Sequence, residues 1–186
     1  MPAQNAHGRW FQQGMVLVTS LLLLIVVTIL AVGMFRSFGL DEKIAGNVRE
    51  KHRALNAAET AEEYAEWWLS SGNGTTGVNC TTMMVAPQAQ VCSNVMTNAA
   101  SLPMPWAVGV SYSPGAPTAM NVTTAGGQGT YYYSPTFYIS YLGLSPNGLG
   151  SVYQIDAAGY AGSPDTAAVV ESTYLVQQSV KDLGGL

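Results

Sequence analysis

No charged residue occurs between Trp67 and Ile155, and the two histidines in the 186 residues, His7 and His52, both lie before that stretch. Without an imidazole, the distal part of the chain lacks the usual general base, any Ser–His arrangement and most zinc sites. Without a basic stripe it cannot neutralise phosphates, which argues against nucleic-acid binding. No glycine-rich phosphate loop or nucleophile elbow appears. Asp156 and Asp165 are too few for a calcium cage. His52, Glu62, Glu63 and Glu66 read as a solvated helix face with basic neighbours a turn or two earlier. No catalytic residue, metal site or cofactor is expected, so the composition argues for a structural protein rather than an enzyme.

Cysteine is scarce too: Cys80 and Cys92 are the only two. Two thiolates with no nearby histidine do not make a zinc set. A disulfide is the favoured reading, and closing a loop of that size contributes about 3 kcal/mol in the chain-entropy model. It would place the distal region in an oxidising compartment such as a periplasm or cell surface. Two free thiols in a reducing compartment is the alternative.

What the chain does have is an apolar run at residues 15–35 with no charge and no proline. About 20 such residues cross a hydrocarbon core of about 30 Å, so the run is expected to span a membrane. A cleaved secretory signal fits poorly, because its apolar stretch is shorter and ends at small residues. Counting only Lys and Arg, the flank with Arg36, Lys43, Arg49, Lys51 and Arg53 belongs in the cytoplasm. The cysteine pair and the uncharged, polar distal composition point the other way. The outward orientation is preferred here.

Twelve of the eighteen charged residues fall between Arg36 and Glu66. There Ile44, Val48, Leu55, Ala58, Ala61, Ala65, Trp68 and Leu69 recur at helical spacing, with charged residues over much of the remaining surface. No stop signal separates this segment from the apolar run, so one helix of about 55 residues is expected, about 80 Å long. Gly33, Gly39 and Gly46 are its soft points. It should end at residues 70–74. A loop with the cysteine pair follows, and then extended segments at 106–112, 130–143, 151–160 and 167–177, separated by Pro/Gly turns. The fold class is therefore α+β: a long N-terminal helix packed on a small antiparallel sheet with one buried face. Tyr131, Tyr132, Tyr133 and the aromatics to Tyr141 read either as an exposed adhesive patch or, preferably, as strand residues split between the core and a cross-strand aromatic ladder. Three Asn-x-Thr triplets, at Asn73, Asn79 and Asn121, arise easily by chance in so Asn/Thr-rich a region.

A polar leader ending in Gly14, followed by an uncharged helix that continues into an amphipathic one, resembles a type IV prepilin. The segments Gly14-Met-Val-Leu-Val-Thr-Ser-Leu-Leu-Leu-Leu, Met34-Phe-Arg-Ser-Phe-Gly-Leu-Asp-Glu-Lys-Ile-Ala-Gly-Asn and Arg53-Ala-Leu-Asn-Ala-Ala-Glu-Thr-Ala resemble the N-terminal region of the PilX minor pilins. Tyr153-Gln-Ile-Asp-Ala-Ala-Gly-Tyr-Ala-Gly-Ser-Pro and Val169-Val-Glu-Ser-Thr-Tyr resemble the end of that family. Together with the residue pattern, the resemblance implies a type IV pilin-like organisation: leader 1–14, membrane and filament-core helix 15–36 and amphipathic continuation 37–70. The disulfide-containing loop region 71–105 and antiparallel β domain 106–186 rest on the residue pattern, since residues 70–150 carry no family signal.

It also implies a prepilin peptidase that cuts between Gly14 and Met15, with N-methylation of Met15. The precursor would sit in the inner membrane as a single-pass protein with a periplasmic C-terminal domain, and later in the pilus at the cell surface. The implied partners are other minor pilins, the major pilin and a PilY-type tip adhesin, and the implied roles are priming of assembly, adhesion and twitching motility. Most pilins carry a glutamate as the fifth residue after the cut, whereas this chain has Thr19. A carboxylate in hydrocarbon needs a partner, which for that glutamate is best explained as the amine of an adjacent subunit. A subunit first into the filament has no earlier neighbour and can dispense with the charge. The stem proline common in major pilins is missing too, with Arg36 near its place. Two other readings remain: a type II secretion or competence pseudopilin, and a signal-anchored periplasmic binding or adhesion domain that never assembles.

Overall fold

The computed structural model describes residues 12–115 and 119–177. The leader as far as residue 11 and the expected β region from residue 178 onward lie outside the described residues. One helix, α1, spans Gln12–Trp68, 57 residues. The chain divides into two compact units, Met1–Asn47 and Val48–Leu186, and α1 contributes to both. In the first unit no described side chain from Gly14 to Phe35 is buried.

In the second unit α1 runs from Val48 to Trp68 and widens into a π-helical turn, Leu69–Asn73. Gly72, at φ 90°, sits in the left-handed region that ends helices at low cost only for glycine. Five strands follow: β1 (Met83–Val85), β2 (Gly109–Ser111), β3 (Thr136–Leu144), β4 (Gly150–Tyr160) and β5 (Ala167–Gln177). They form one sheet in the order β1-β2-β3-β4-β5. The sheet is antiparallel from β2 to β5, and β1 adds a short parallel edge against β2. β1 falls in the stretch read from sequence as loop, since three residues are too few to show an alternation.

One face of the sheet is built by Val110, Phe137, Ile139, Tyr153, Ile155 and Ala157, packed on Ala61 and Ala65 of α1 and on Leu69 of the π-helical turn. The buried stripe of the helix is Ala54, Ala57, Ala58, Ala61, Ala65 and Leu69, whereas Ile44 and Val48 are exposed. The helix therefore meets the sheet mainly through alanines rather than through its larger apolar residues. The reason is a close approach of backbones at Gly159. A methyl group there would overlap the Ala54 carbonyl oxygen and the Ala58 nitrogen and lie 2.9 Å from the Ala57 carbonyl carbon.

The other face is covered as well. Tyr138 and Ala158 pack against Cys80, Cys92, Met96, Ala99 and Trp106, so the cysteine-containing segment forms a second layer. The expectation of a sheet with a single buried face is corrected accordingly. The physical sign was the near-continuous burial that follows from Thr136–Ser140 and residues 155–160, where apolar residues run on rather than alternate. Tyr131, Tyr132 and Tyr133 precede β3 and are half-buried. Tyr132 and Tyr133 meet edge to face at 4.8 Å and Tyr133 meets Tyr160 at 5.3 Å, so the triplet is not an exposed patch. Farther along, Phe137 and Tyr138 are buried in the core and Tyr141 pairs across strands with Tyr153, their rings 5.7 Å apart.

Gly159→Ala forces the helix and sheet apart and is expected to destabilise the second unit by about 2–3 kcal/mol, the range for overpacking against backbone. Thermal unfolding followed by circular dichroism checks it, and Ala157→Gly in the same strand serves as a control that adds no atom.

Candidate assembly interface

A helix apolar enough to lie in hydrocarbon must satisfy its own polar groups, and the three hydroxyl residues in the apolar half of α1 show how. Thr19 Oγ1 lies 3.0 Å from the carbonyl oxygens of both Met15 and Val16. Ser20 donates to the Leu17 carbonyl at 2.9 Å, and Thr28 to the Ile25 carbonyl at 2.8 Å. Each hydroxyl is satisfied inside its own helix, so none leaves an unpaired polar group facing lipid. Val16, Thr19, Ser20, Leu23, Leu24, Val27 and Thr28 line one continuous shallow face. Gly14 and Met15 lie in the first turns of α1, and Met15 is 71% exposed. By length and composition this is the one helix among the described residues able to cross a membrane.

In the second unit, α1 is fastened to the β layer by charge. Arg53 donates to both Glu50 carboxylate oxygens at 3.0 and 3.1 Å and to the Thr130 carbonyl at 2.6 Å, and its guanidinium lies 4.7 Å from the centre of the Tyr131 ring. Glu50 in turn accepts from the Gly162 N–H at 3.1 Å. Burial alone would raise the Glu50 pKa. The Gly162 and Arg53 hydrogen bonds, with the charges of Arg53 and Arg49, outweigh it and hold the group below its ordinary value. Farther along, Glu62 and Glu66 are half-buried rather than fully solvated. Burial and then the charges of Glu62 and Glu63 raise the Glu66 pKa.

Cys80 and Cys92 are joined, with 5.4 Å between their Cα atoms. The second cysteine extends the sheet past β2, since its N–H donates to the Ile139 carbonyl at 2.7 Å and its carbonyl accepts from Tyr141 at 2.8 Å. Asn94 holds the first cysteine at both backbone groups: the Cys80 N–H donates to Oδ1 at 2.8 Å and Nδ2 donates to the Cys80 carbonyl at 3.1 Å. Tyr138 donates to the Asn94 carbonyl at 2.7 Å.

Beneath this layer lies a residue that sequence reasoning weighed only as a calcium ligand. Asp156 is fully buried, between Tyr138 and Glu171 in register, and Gln154 Nε2 donates to its two oxygens at 3.2 and 3.1 Å. The same nitrogen reaches the Met96 carbonyl at 3.2 Å. Burial pushes the Asp156 carboxyl up to about 6, the Gln154 hydrogen bond pulls against that, and Glu171 adds to the rise. Its position in an otherwise apolar strand segment was the available signal. Asp165, by contrast, is exposed in the turn before β5.

Residues 13–61 match the family described as PilX N-terminal. The match supports a PilX-type type IV pilin. No curated protein and no solved structure matches the chain. A PilX-type stem belongs to a minor pilin of type IV pili, a structural family whose members contact other pilus components. The apolar half of α1 is consistent with a membrane-anchored pilin. The matched stem covers both the hydroxyl-bearing face and the Glu50–Arg53 pair, but not the sheet or the disulfide layer.

Because the folded-state pKa of Asp156 lies above the value of about 3.9 for a free aspartate, the folded state binds the extra proton, and its contribution is greatest at low pH. That contribution is lost as pH rises through the window from about 4 to about 6, amounting to about 3 kcal/mol at most. Asp156→Asn should abolish this part of the pH dependence and raise stability at neutral pH. Denaturant unfolding of both proteins across pH 4–7 measures the difference.

Proposed function

We infer that this chain is a minor pilin that enters a type IV pilus at or near its tip, helps to prime assembly and presents an adhesin. The observation that carries the reading is Thr19. The pilin class usually places a charge at this point in the stem, and here there is a neutral hydroxyl already bonded to the Met15 and Val16 carbonyls. It makes no demand on a neighbouring subunit's amine, which suits a subunit that has no earlier neighbour. Leader cleavage between Gly14 and Met15 and methylation of the new terminus belong to the same reading, as do a prepilin peptidase, the other minor and major pilins and a PilY-type adhesin as partners.

Before assembly the precursor is an inner-membrane protein with its second unit in the periplasm. The disulfide supports that side of the membrane, since such bonds persist in oxidising compartments. After assembly the chain is exposed at the cell surface, where adhesion and twitching motility follow from the pilus it helps to start. The organisation 15–36 for the filament-core helix, 37–70 for its continuation, 71–105 for the disulfide region and 106–186 for the β domain is part of this proposal.

Sequencing the mature terminus from sheared filaments is expected to return a methylated Met15. An intact Met1 on all material, with the chain missing from every filament fraction, would favour the anchored binding domain. Thr19→Glu should introduce an unpaired carboxylate at the start of assembly and lower the number of pili per cell several-fold by electron microscopy. An unchanged count with an unchanged place in the tip complex removes the argument from Thr19.

A further inference from the structure

The two edges of the sheet are managed in opposite ways. At one edge, β1 is three residues long and is followed at once by Ala86 and Pro87, a length and a residue type that discourage further pairing. At the other, β5 runs for eleven residues with no proline, no lysine or arginine and one charge, Glu171. Its register with β4 is unbroken from Ala167 to Gln177, whereas β3 carries an irregularity between Tyr141 and Gly143. Apart from the single charge of Glu171, none of the usual devices that blunt an edge is present, and among the described residues no strand pairs with the outer side of β5.

The ladder also fixes which backbone groups are free to pair. The Ala161 N–H donates to the Thr166 carbonyl at 3.0 Å, and hydrogen-bonded and non-hydrogen-bonded pairs alternate from there along an antiparallel ladder. Residues 168, 170, 172, 174 and 176 thus turn their N–H and C=O groups toward β4, and residues 167, 169, 171, 173, 175 and 177 turn theirs outward. Val169 is packed with the Ala99 and Trp106 cluster, but Glu171, Thr173, Leu175 and Gln177 are exposed.

We propose that the outer edge of β5 accepts an extended segment of a different protein of the pilus tip as a sixth strand. This rests on the minor-pilin reading above. The side chains specify the incoming strand further: a basic or neutral residue beside Glu171 and an apolar one beside Leu175, with main-chain hydrogen bonds giving the affinity. A second copy of this chain fits less well, because full-length antiparallel pairing of β5 with itself sets Glu171 of each copy diagonally beside the other, and like charges there are destabilising.

Thr173→Pro tests this directly. The Thr173 N–H points outward, so proline removes an edge donor without removing a β4 rung. The variant, in the full chain and in cells that assemble the pilus, should unfold within a few degrees of wild type and reach the membrane normally. Its amount in sheared pili should fall at least tenfold, while Thr173→Ala is retained. Should proline disturb the fold, the pair Thr173→Lys with Leu175→Lys leaves the backbone intact and should give the same loss. Retention of a correctly folded edge variant at wild-type levels overturns the proposal. So does loss of self-association in purified protein with pilus content unchanged, which would mark a contact between copies. Absence of the wild-type chain from sheared pili defeats the minor-pilin reading itself, and the proposal with it.

Discussion

The contact of Gly159 with the turn of α1 at Ala54–Ala58 sets the spacing of the second unit. Backbones that approach this closely leave no room for larger side chains at the seam, and so the buried stripe of the helix is mostly alanine. Alanine buries little area per residue, about 25 cal/mol for each Å² of apolar surface, so the seam alone gives modest stability. Larger groups on either side add to it: Leu69, Tyr153 and Phe137 at one end of the face, and the Arg53–Glu50–Gly162 hydrogen bonds beyond the other. The charged pair sits where the alanine stripe runs out, and it turns a surface ion pair, ordinarily of little worth, into a part-buried junction with two backbone partners and an aromatic ring.

Charge is distributed along the chain according to what each part must touch. The apolar half of α1 keeps polar groups only where its own backbone can satisfy them, as at Thr19, Ser20 and Thr28. The middle of the chain concentrates its charges on the helix between Arg36 and Glu66. Beyond Trp67 the fold relies on backbone hydrogen bonds and on Asn, Gln, Ser and Tyr side chains, and Asp156, the one fully buried acid among the described residues there, is held nearer neutrality by its surroundings. Such a composition suits a module that meets other subunits over wide surfaces, where an unpaired charge at the contact would be costly.

Much of the architecture was legible from the sequence because it rests on strong periodic signals. The uncharged run, the amphipathic continuation and the alternation of β5 leave few alternatives, and β5 begins and ends where its alternating residues do. The sheet's second cover was harder to read. The segment from Cys80 to Trp106 has little regular structure, and its packing depends on contacts distant in sequence, such as Tyr138 to Asn94 and Gln154 to Met96. Ile44 and Val48 fit the helical period yet remain exposed, because periodicity assigns a face and says nothing about where the sheet begins. At the stem, the identity of Thr19 was plain in the sequence. Its two carbonyl partners were not, since a helical threonine can equally point outward.

Asn94 grips the backbone of Cys80 from both sides, and it stands two residues from Cys92. This amide clasp needs no sulfur chemistry, so it can form on the reduced chain and bring the two thiols within reach of each other. Oxidation then becomes a local ring closure in a nearly finished layer rather than a search through an open coil. The covalent link seals a shape that a carboxamide has already drawn.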